Sequence, residues 1–433
     1  MPPPKILVAT FGSLGDLHPF VALGQSLRDE GFRVVLATSA DHRDLVLREG
    51  LEFFEIRPDV AEISRKLGTD MGGIAHAMSR DDGFLFQKVI FPHLRVAYEQ
   101  FARASEGASM IVAHSIAFSA HAVAEKRGLP LAVVVLSPAL LYSDHDPPAS
   151  PPFFAAPKSV LARAYNRLAR RAFAEIVWLW AAPLRRFRRE LGLPRRGGFD
   201  FFAGAAPWAA TLALCSPLLA PPQPDHATDT LVAGHSFFDR NFSTDPARLA
   251  ALEAFLDAGA APIVFSLGSF VVHDGRAYYQ AATAAARKLG ARAVLLVEEK
   301  DLAELQALAP EYVFVAAYAP HSQLFPRAKI VVHHGGIGTC GQALRAGRPQ
   351  LVTPFLGDQP DNAARLARLG VARVLPGRKA SAEGFVRELA ALSADPRYAA
   401  RAKELAPMVA QEDGAAVAAR WIADYLRRRA CEA

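Results

Sequence analysis

The sequence predicts an α/β protein made of two Rossmann-like parallel-sheet domains that face one another across a cleft. Three observations lead there. Short apolar, β-rich runs alternate with helix-periodic stretches through the first half of the 433 residues. The same alternation starts afresh in the second half. Between the two series, Pro217-Leu-Leu-Ala-Pro-Pro-Gln-Pro-Asp225 resists regular structure and reads as a connection.

In order along the chain, Lys5–Thr10 is the first strand. Pro19–Glu30 follows as a helix with proline in its first turn. Strands are expected at Arg33–Ala37, Glu52–Ile56, Met110–Ala113 and Leu131–Val135, with helices such as Ala117–Lys126 between them. The stretch from Pro147 to Phe202 is proline-rich, then helical and basic, and reads as an insertion beside a binding cleft. The second series has strands at Pro262–Ser266, Arg292–Leu296, Val313–Ala316, Ile330–Val332 and Gln350–Val352. Helices Gly275–Leu289 and Gln359–Leu369 lie among them, and Ala415–Arg429 closes the chain. The expected divisions are residues 1–216, a linker 217–240, a second domain 241–412, and a final helix 413–433 that crosses back to the first domain.

Composition narrows the class. With 51% hydrophobic and 21% charged residues the chain has ample core and no signature of disorder. Cys215, Cys340 and Cys431 are too far apart for a disulfide framework or a CxxC metal site, which fits a reducing cytoplasm. The N-terminal apolar run is too short for a signal peptide, and no stretch reaches membrane-spanning length. A net charge of +6 concentrates between Arg163 and Arg196, around Trp178 and Trp180. The segment reads first as a solvated basic helix, and otherwise as a peripheral dock on the anionic inner face of a membrane or a steering field for an anionic acceptor. No nucleic-acid motif accompanies the charge, so a nucleic-acid partner is not expected. Oligomeric state is left open.

The motif that carries chemistry is Ile330-Val-Val-His333-His-Gly335-Gly336-Ile-Gly338-Thr339, followed by Gln350-Leu-Val-Thr-Pro-Phe-Leu-Gly-Asp358-Gln359. A buried strand breaks into glycines and restarts as a helix at Thr339. Helix-start amides make an anion site that glycines let a phosphate approach. Two histidines at the strand end add donors that can be cationic beside a diphosphate. The acid–amide pair one βα unit later suits a polyhydroxylated ligand, so the whole suggests a nucleotide-sugar site. Gly336-Ile-Gly338-Thr-Cys-Gly341 is also a literal GxGxxG, but Asp358 falls several residues past the strand tip where a dinucleotide fold keeps its acid.

Taken with Phe11-Gly-Ser13-Leu-Gly15-Asp16-Leu-His18-Pro19, Tyr318-Ala-Pro-His321 and Asp358-Gln-Pro-Asp-Asn362, the chain resembles the inverting nucleotide-sugar glycosyltransferases of family 1, whose fold is GT-B. The likeness runs essentially end to end. It is to the bacterial branch that includes the rhamnolipid rhamnosyltransferase and the antibiotic and sterol glycosyltransferases. It implies a UDP- or dTDP-linked hexose or deoxyhexose as co-substrate, a hydrophobic small molecule or lipid as acceptor, and no other cofactor. It assigns His333, Gly338 and Thr339 to the diphosphate, with Gly335, Gly336, Gly268 and Ser269 lining it and Ser13 contributing from the N-terminal motif. Tyr318 stands where plant members stack a tryptophan on the base, His321 meets the base edge through its backbone, and Asp358 and Gln359 take the sugar hydroxyls. Plant members hold the ribose with a glutamate; Gln342 stands in that region here.

The resemblance also implies a general base. Asp16 occupies the place of the family's Gly-His-x-x-Pro histidine and is the expected base, with helix capping as its competing role. His18 is a second candidate at a position the family leaves variable. His114, at the end of Met110–Ala113, falls where histidine-using members keep the aspartate that orients their base, so Asp16 and His114 form a pair with residue types exchanged. Asp144-His145-Asp146 spells DxD, the metal motif of the other glycosyltransferase fold, but it sits in a proline-flanked loop and no metal is expected. Two other readings share the architecture: a sugar-nucleotide 2-epimerase, and a non-catalytic sugar-nucleotide-binding partner protein.

Overall fold

The computed structural model describes residues 3–81, 83–150, 152–194, 209–227, 229–239, 246–268 and 275–432. The chain divides into two compact units: residues 1–74, 81–237 and 412–433, and residues 75–80 and 238–411.

Seven parallel strands form the sheet of the first unit, in the order β3-β2-β1-β4-β5-β6-β7. They are β1 (Lys5–Ala9), β2 (Arg33–Thr38), β3 (Glu52–Glu55), β4 (Ala108–His114), β5 (Leu131–Val135), β6 (Ala210–Ala213) and β7 (Thr230–Val232). The central strands are near-continuous aliphatic runs because helices cover both faces. Ile6, Leu7, Val8 and Ala9 are all fully enclosed. Strand order reverses between β1 and β4, whose residues Ala9 and Ala113 lie side by side. In such sheets the crevice beyond the strand ends at that switch point is where ligands collect.

In the second unit six parallel strands run β10-β9-β8-β11-β12-β13. They are β8 (Ile263–Ser266), β9 (Ala293–Leu296), β10 (Val313–Ala316), β11 (Ile330–His333), β12 (Gln350–Val352) and β13 (Ala372–Val374). Here the switch falls between β8 and β11, with Ser266 opposite His333 at the tips. Phe265, Phe385 and Tyr278 pack edge to face beneath the sheet, at 5.5 and 5.1 Å between centroids. Tyr278 also reaches Thr353 Oγ1 at 3.1 Å, fixing the end of β12 beside β11.

Several elements differ from the sequence expectation. Helix α1 covers Leu14–Asp29, starting well before Pro19, which lies in its second turn. Ser13 supplies the cap that makes the earlier start possible. Helices α2 (Val160–Trp180) and α3 (Ala182–Glu190) form the basic segment. Helix α4 (Ile337–Arg345) begins two residues ahead of Thr339, and α5 (Gln359–Arg368) follows β12. The short strands β6, β7 and β13 were not foreseen; with three or four residues each they carry little periodicity. β7 lies inside the expected linker 217–240, and Leu219 and Ala220 there are buried, so the first unit continues to Phe237.

The final helix, α6 (Gly414–Glu432), belongs to the first unit and packs on α1. Gly414 N–H donates to His235 O at 2.8 Å, and a β-carbon at Gly414 would collide with the Gly234 carbonyl. Glu412 accepts from Ser216 Oγ and His235 N–H at 2.5 and 2.8 Å. No helix of the described residues is long and apolar enough to cross a membrane.

Candidate active site

At the β1–β4 switch point the turn Thr10–Ser13 folds the Asp16 carboxylate back over its own backbone. Ser13 N–H and Oγ–H both donate to Asp16 Oδ2, at 2.8 and 3.0 Å, completing a capping box. Gly12 has φ +132°, and a β-carbon there would run into the carboxylate, so the turn needs glycine. The second oxygen, Oδ1, faces His114 Nε2 at 3.6 Å. Ile116 N–H donates to His114 Nδ1 at 3.2 Å, which places the ring proton on Nε2, toward Asp16. Capping and pairing are therefore not alternatives: each uses one oxygen.

The two side chains differ in access. Asp16 is about a third exposed, whereas His114 is almost enclosed. Phe20 packs on the His114 ring at 5.6 Å and His121 Nε2 meets His114 O at 3.0 Å. Burial alone would push the Asp16 carboxyl up. The His114 ring and the Ser13 donors outweigh it and hold the group below the usual 3.8. His18 is half-buried in α1, two residues before the Phe20 that packs on His114.

At the β8–β11 switch point of the second unit, glycines bring backbone amides to the surface. N-cap Gly336 has no side chain to cap α4, and among the described residues no side chain is recorded accepting from the helix's first amides. Gly338 is exposed, with nothing within 4 Å of where a β-carbon would stand, and Thr339 follows it. A bare helix start under open space is an anion cradle. Gly268, φ +69°, and Gly336 flank the His334 ring, and a β-carbon on either would collide with it. Ser269 lies outside the described residues.

The expectation of cationic histidines is corrected. His333 is fully buried: Nδ1 accepts Gly335 N–H at 3.1 Å and Nε2 faces Gln350 Oε1 at 2.9 Å. Burial holds His333 to about 4 and His334 to about 3, so both rings are neutral in the free protein. With both nitrogens engaged inside the protein, His333 braces the Gly335 turn and offers neither atom to a phosphate in this conformation.

The acid–amide pair is built as a unit. Asn362 Nδ2 donates to Asp358 Oδ2 at 2.8 Å and to Gly335 O at 2.9 Å, tying the start of α5 to the glycine turn. Gln359 Oε1 accepts from Phe355 and Leu356 amides at 2.8 and 3.2 Å, so its amide nitrogen is the part of the side chain left to donate. Gln342 is buried on α4 with Nε2 3.5 Å from Asp239 Oδ1. Tyr318 is half-buried in the loop after β10, and His321 stacks on Phe325 at 4.3 Å. Asp144 of the DxD is held by Arg167 and Arg170 at 2.9 and 3.2 Å and is 2% exposed, so its carboxylate serves an internal ion pair. Sequence reasoning passed over Gln350 and Asn362 as site residues. Asn362 had a signal, since it stands four positions after Asp358 on a helix; Gln350 had none, because its partner is one strand away.

Comparison with known proteins adds to this geometry. Residues 6–142 match the glycosyltransferase family 28 N-terminal domain, and residues 281–423 match the C-terminal domain of erythromycin biosynthesis protein CIII-like proteins. The O-mycaminosyltylonolide 6-deoxyallosyltransferase of Streptomyces fradiae is 32% identical over 95% of this chain and 94% of its own length. Sterol 3-beta-glucosyltransferase of Debaryomyces hansenii is 27% identical over 94% of this chain, which spans only 26% of that protein. Among solved structures, the kitacinnamycin glycotransferase superposes with a TM-score of 0.67 at 21% identity, covering 98% of this chain and 99% of its own. The spinosyn rhamnosyltransferase complexed with thymidine diphosphate gives 0.63 at 21% identity over 97% and 99%. These two likenesses concern the fold.

Proposed function

The chain belongs to the GT-B glycosyltransferases, in the branch that joins antibiotic and sterol glycosyltransferases, and on that premise we propose that it transfers a hexose or deoxyhexose from a UDP- or dTDP-sugar to a hydroxyl of a hydrophobic small molecule or lipid. The observation that carries this reading is the bare start of α4 at the β8–β11 switch point. It is where a nucleoside diphosphate would rest its charge. Backbone amides and the Thr339 hydroxyl would bind the phosphates, His333 would hold the Gly335 turn in shape, and Asp358 with the Gln359 amide would orient the sugar.

On the first unit, Asp16 is the base. As the acceptor oxygen attacks the anomeric carbon, the bond to the departing diphosphate breaks and the hydroxyl proton passes to Asp16. One in-line displacement inverts the anomeric centre. A carboxylate held below 3.8 is a weak base at equilibrium. It serves here because the hydroxyl becomes acidic only as its bond to carbon forms. His114 is a positioning residue: its Nε2–H orients Oδ1 and steadies the charge. Positive potential at the helix start takes the place a divalent cation would otherwise fill, so transfer should persist in excess EDTA.

A panel of UDP- and dTDP-sugars against hydrophobic alcohols and phenols, read by nucleotide release, tests the reading. Acceptor-dependent release with the opposite anomeric configuration in the product is expected. Interconversion of the donor sugar without any acceptor would instead identify a 2-epimerase.

A further inference from the structure

We propose that α2 docks the protein on an anionic lipid surface. Large apolar side chains exposed among the described residues are Leu47, Val96, Leu308 and Met408, and otherwise all lie between Phe153 and Leu179. Within α2, Leu161, Tyr165, Leu168, Ile176 and Leu179 recur at helical spacing on one outward face, 49–82% exposed. The opposite face is fixed to the first unit. Asn166 is fully buried and joins the Asp144 and Ala155 carbonyls, while Arg167 and Arg170 clamp Asp144. A helix so anchored presents its apolar side outward by construction rather than by fraying.

Charge decides the occupant. Arg163, Arg171, Arg186 and Arg189 on α2 and α3 make no ion pair among the described residues; by helical rotation Arg171 flanks the apolar stripe, whereas Arg163 falls on the opposite side of α2. Acidic residues on the two helices are Glu175 and Glu190, the latter paired with Arg95. Arg185 stacks on Trp178 at 4.0 Å, which keeps the arginine-rich start of α3 beside the apolar end of α2. Exposed leucines, an isoleucine and a tryptophan, with arginines beside them that make no ion pair among the described residues, match the interface of a bilayer with anionic headgroups. An apolar protein groove would not call for the surrounding positive charge.

Flotation of the full chain tests this, with phosphatidylglycerol-containing vesicles against pure phosphatidylcholine vesicles. Binding is expected only to the former, and should fall as salt rises from ~0.1 to ~1 M. Arg171→Gln, Arg186→Gln and Arg189→Gln together should weaken it by ~100-fold, at about fivefold per arginine. Leu161→Gln, Leu168→Gln and Ile176→Gln together should abolish it. Thermal melting and UDP or dTDP binding in the second unit should be unchanged in both triple variants, which separates loss of docking from loss of fold. Equal flotation with both vesicle types, or flotation indifferent to the substitutions, would overturn the proposal. So would a lipid-free dimer, seen by sedimentation velocity, that the three glutamine substitutions at Leu161, Leu168 and Ile176 dissolve; that result would give the face to a second copy of the chain.

Discussion

Asp16 is asked to do two things, and its two oxygens divide them. Asp16→Asn keeps an acceptor for the Ser13 amide while removing the base, so donor binding should survive and transfer should fall by at least ~100-fold. Parallel loss of both, measured by nucleotide calorimetry and product formation, would reduce Asp16 to a cap. His114→Ala removes a group that holds Asp16 low. The acidic limb of the pH–rate profile should therefore move to higher pH, and superimposable profiles would contradict the pairing. The Asp16–His114 pair was expected from the family resemblance, and the structure sets the two side chains 3.6 Å apart. The helix start was misplaced: a proline suits a first turn, so Pro19 pointed to a start near itself with Asp16 as cap, whereas Ser13 is the cap and Asp16 lies three residues inside. The enclosure of His333 could not be read, since a histidine at a strand tip looks the same in sequence whether its ring turns inward or out.

Elements carry the donor site, above all the start of α4. Gly338 has open space around its missing side chain, so substitution there spares the fold and tests the cradle directly. Gly338→Asp sets a carboxylate among the amides; UDP or dTDP affinity should drop by more than ~10-fold with an unchanged melting temperature. Undiminished affinity in calorimetry would place the diphosphate elsewhere. At the other end of the chain, Gly414 is packed against the Gly234 carbonyl. Gly414→Val should cost ~1–3 kcal/mol and loosen α6, seen as faster proteolysis of the C-terminal helix. The long, periodic elements were visible in the sequence. The short strands β6, β7 and β13 were not, because a three-residue strand such as Thr230–Val232 is held by pairing with β6 rather than by pattern.

Across the whole molecule, buried neutral histidines set the response to acid. Burial lowers His121, His235 and His333 from 6.5 to about 4, and His334 to about 3. The unfolded chain binds these protons first, so stability is fully present above about pH 6.5 and declines as pH falls toward 4. Melting temperature should drop between pH 7 and pH 5, a loss that His235→Gln should lessen; a flat melting curve over that range would argue against neutral burial. The division into two parallel-sheet units was plain from the doubled alternation of strands and helices. Its boundary was not, since the proline-rich stretch after Ser216 suggested a free linker where Leu219, Ala220 and β7 are part of the first unit.

The central claim is that a sugar nucleotide rests its diphosphate on the uncapped start of α4. A crystal structure of the complex with UDP or dTDP tests it most directly. Phosphate oxygens within hydrogen-bonding distance of the Gly338 and Thr339 amides are the predicted result; a diphosphate bound away from that helix start would contradict it.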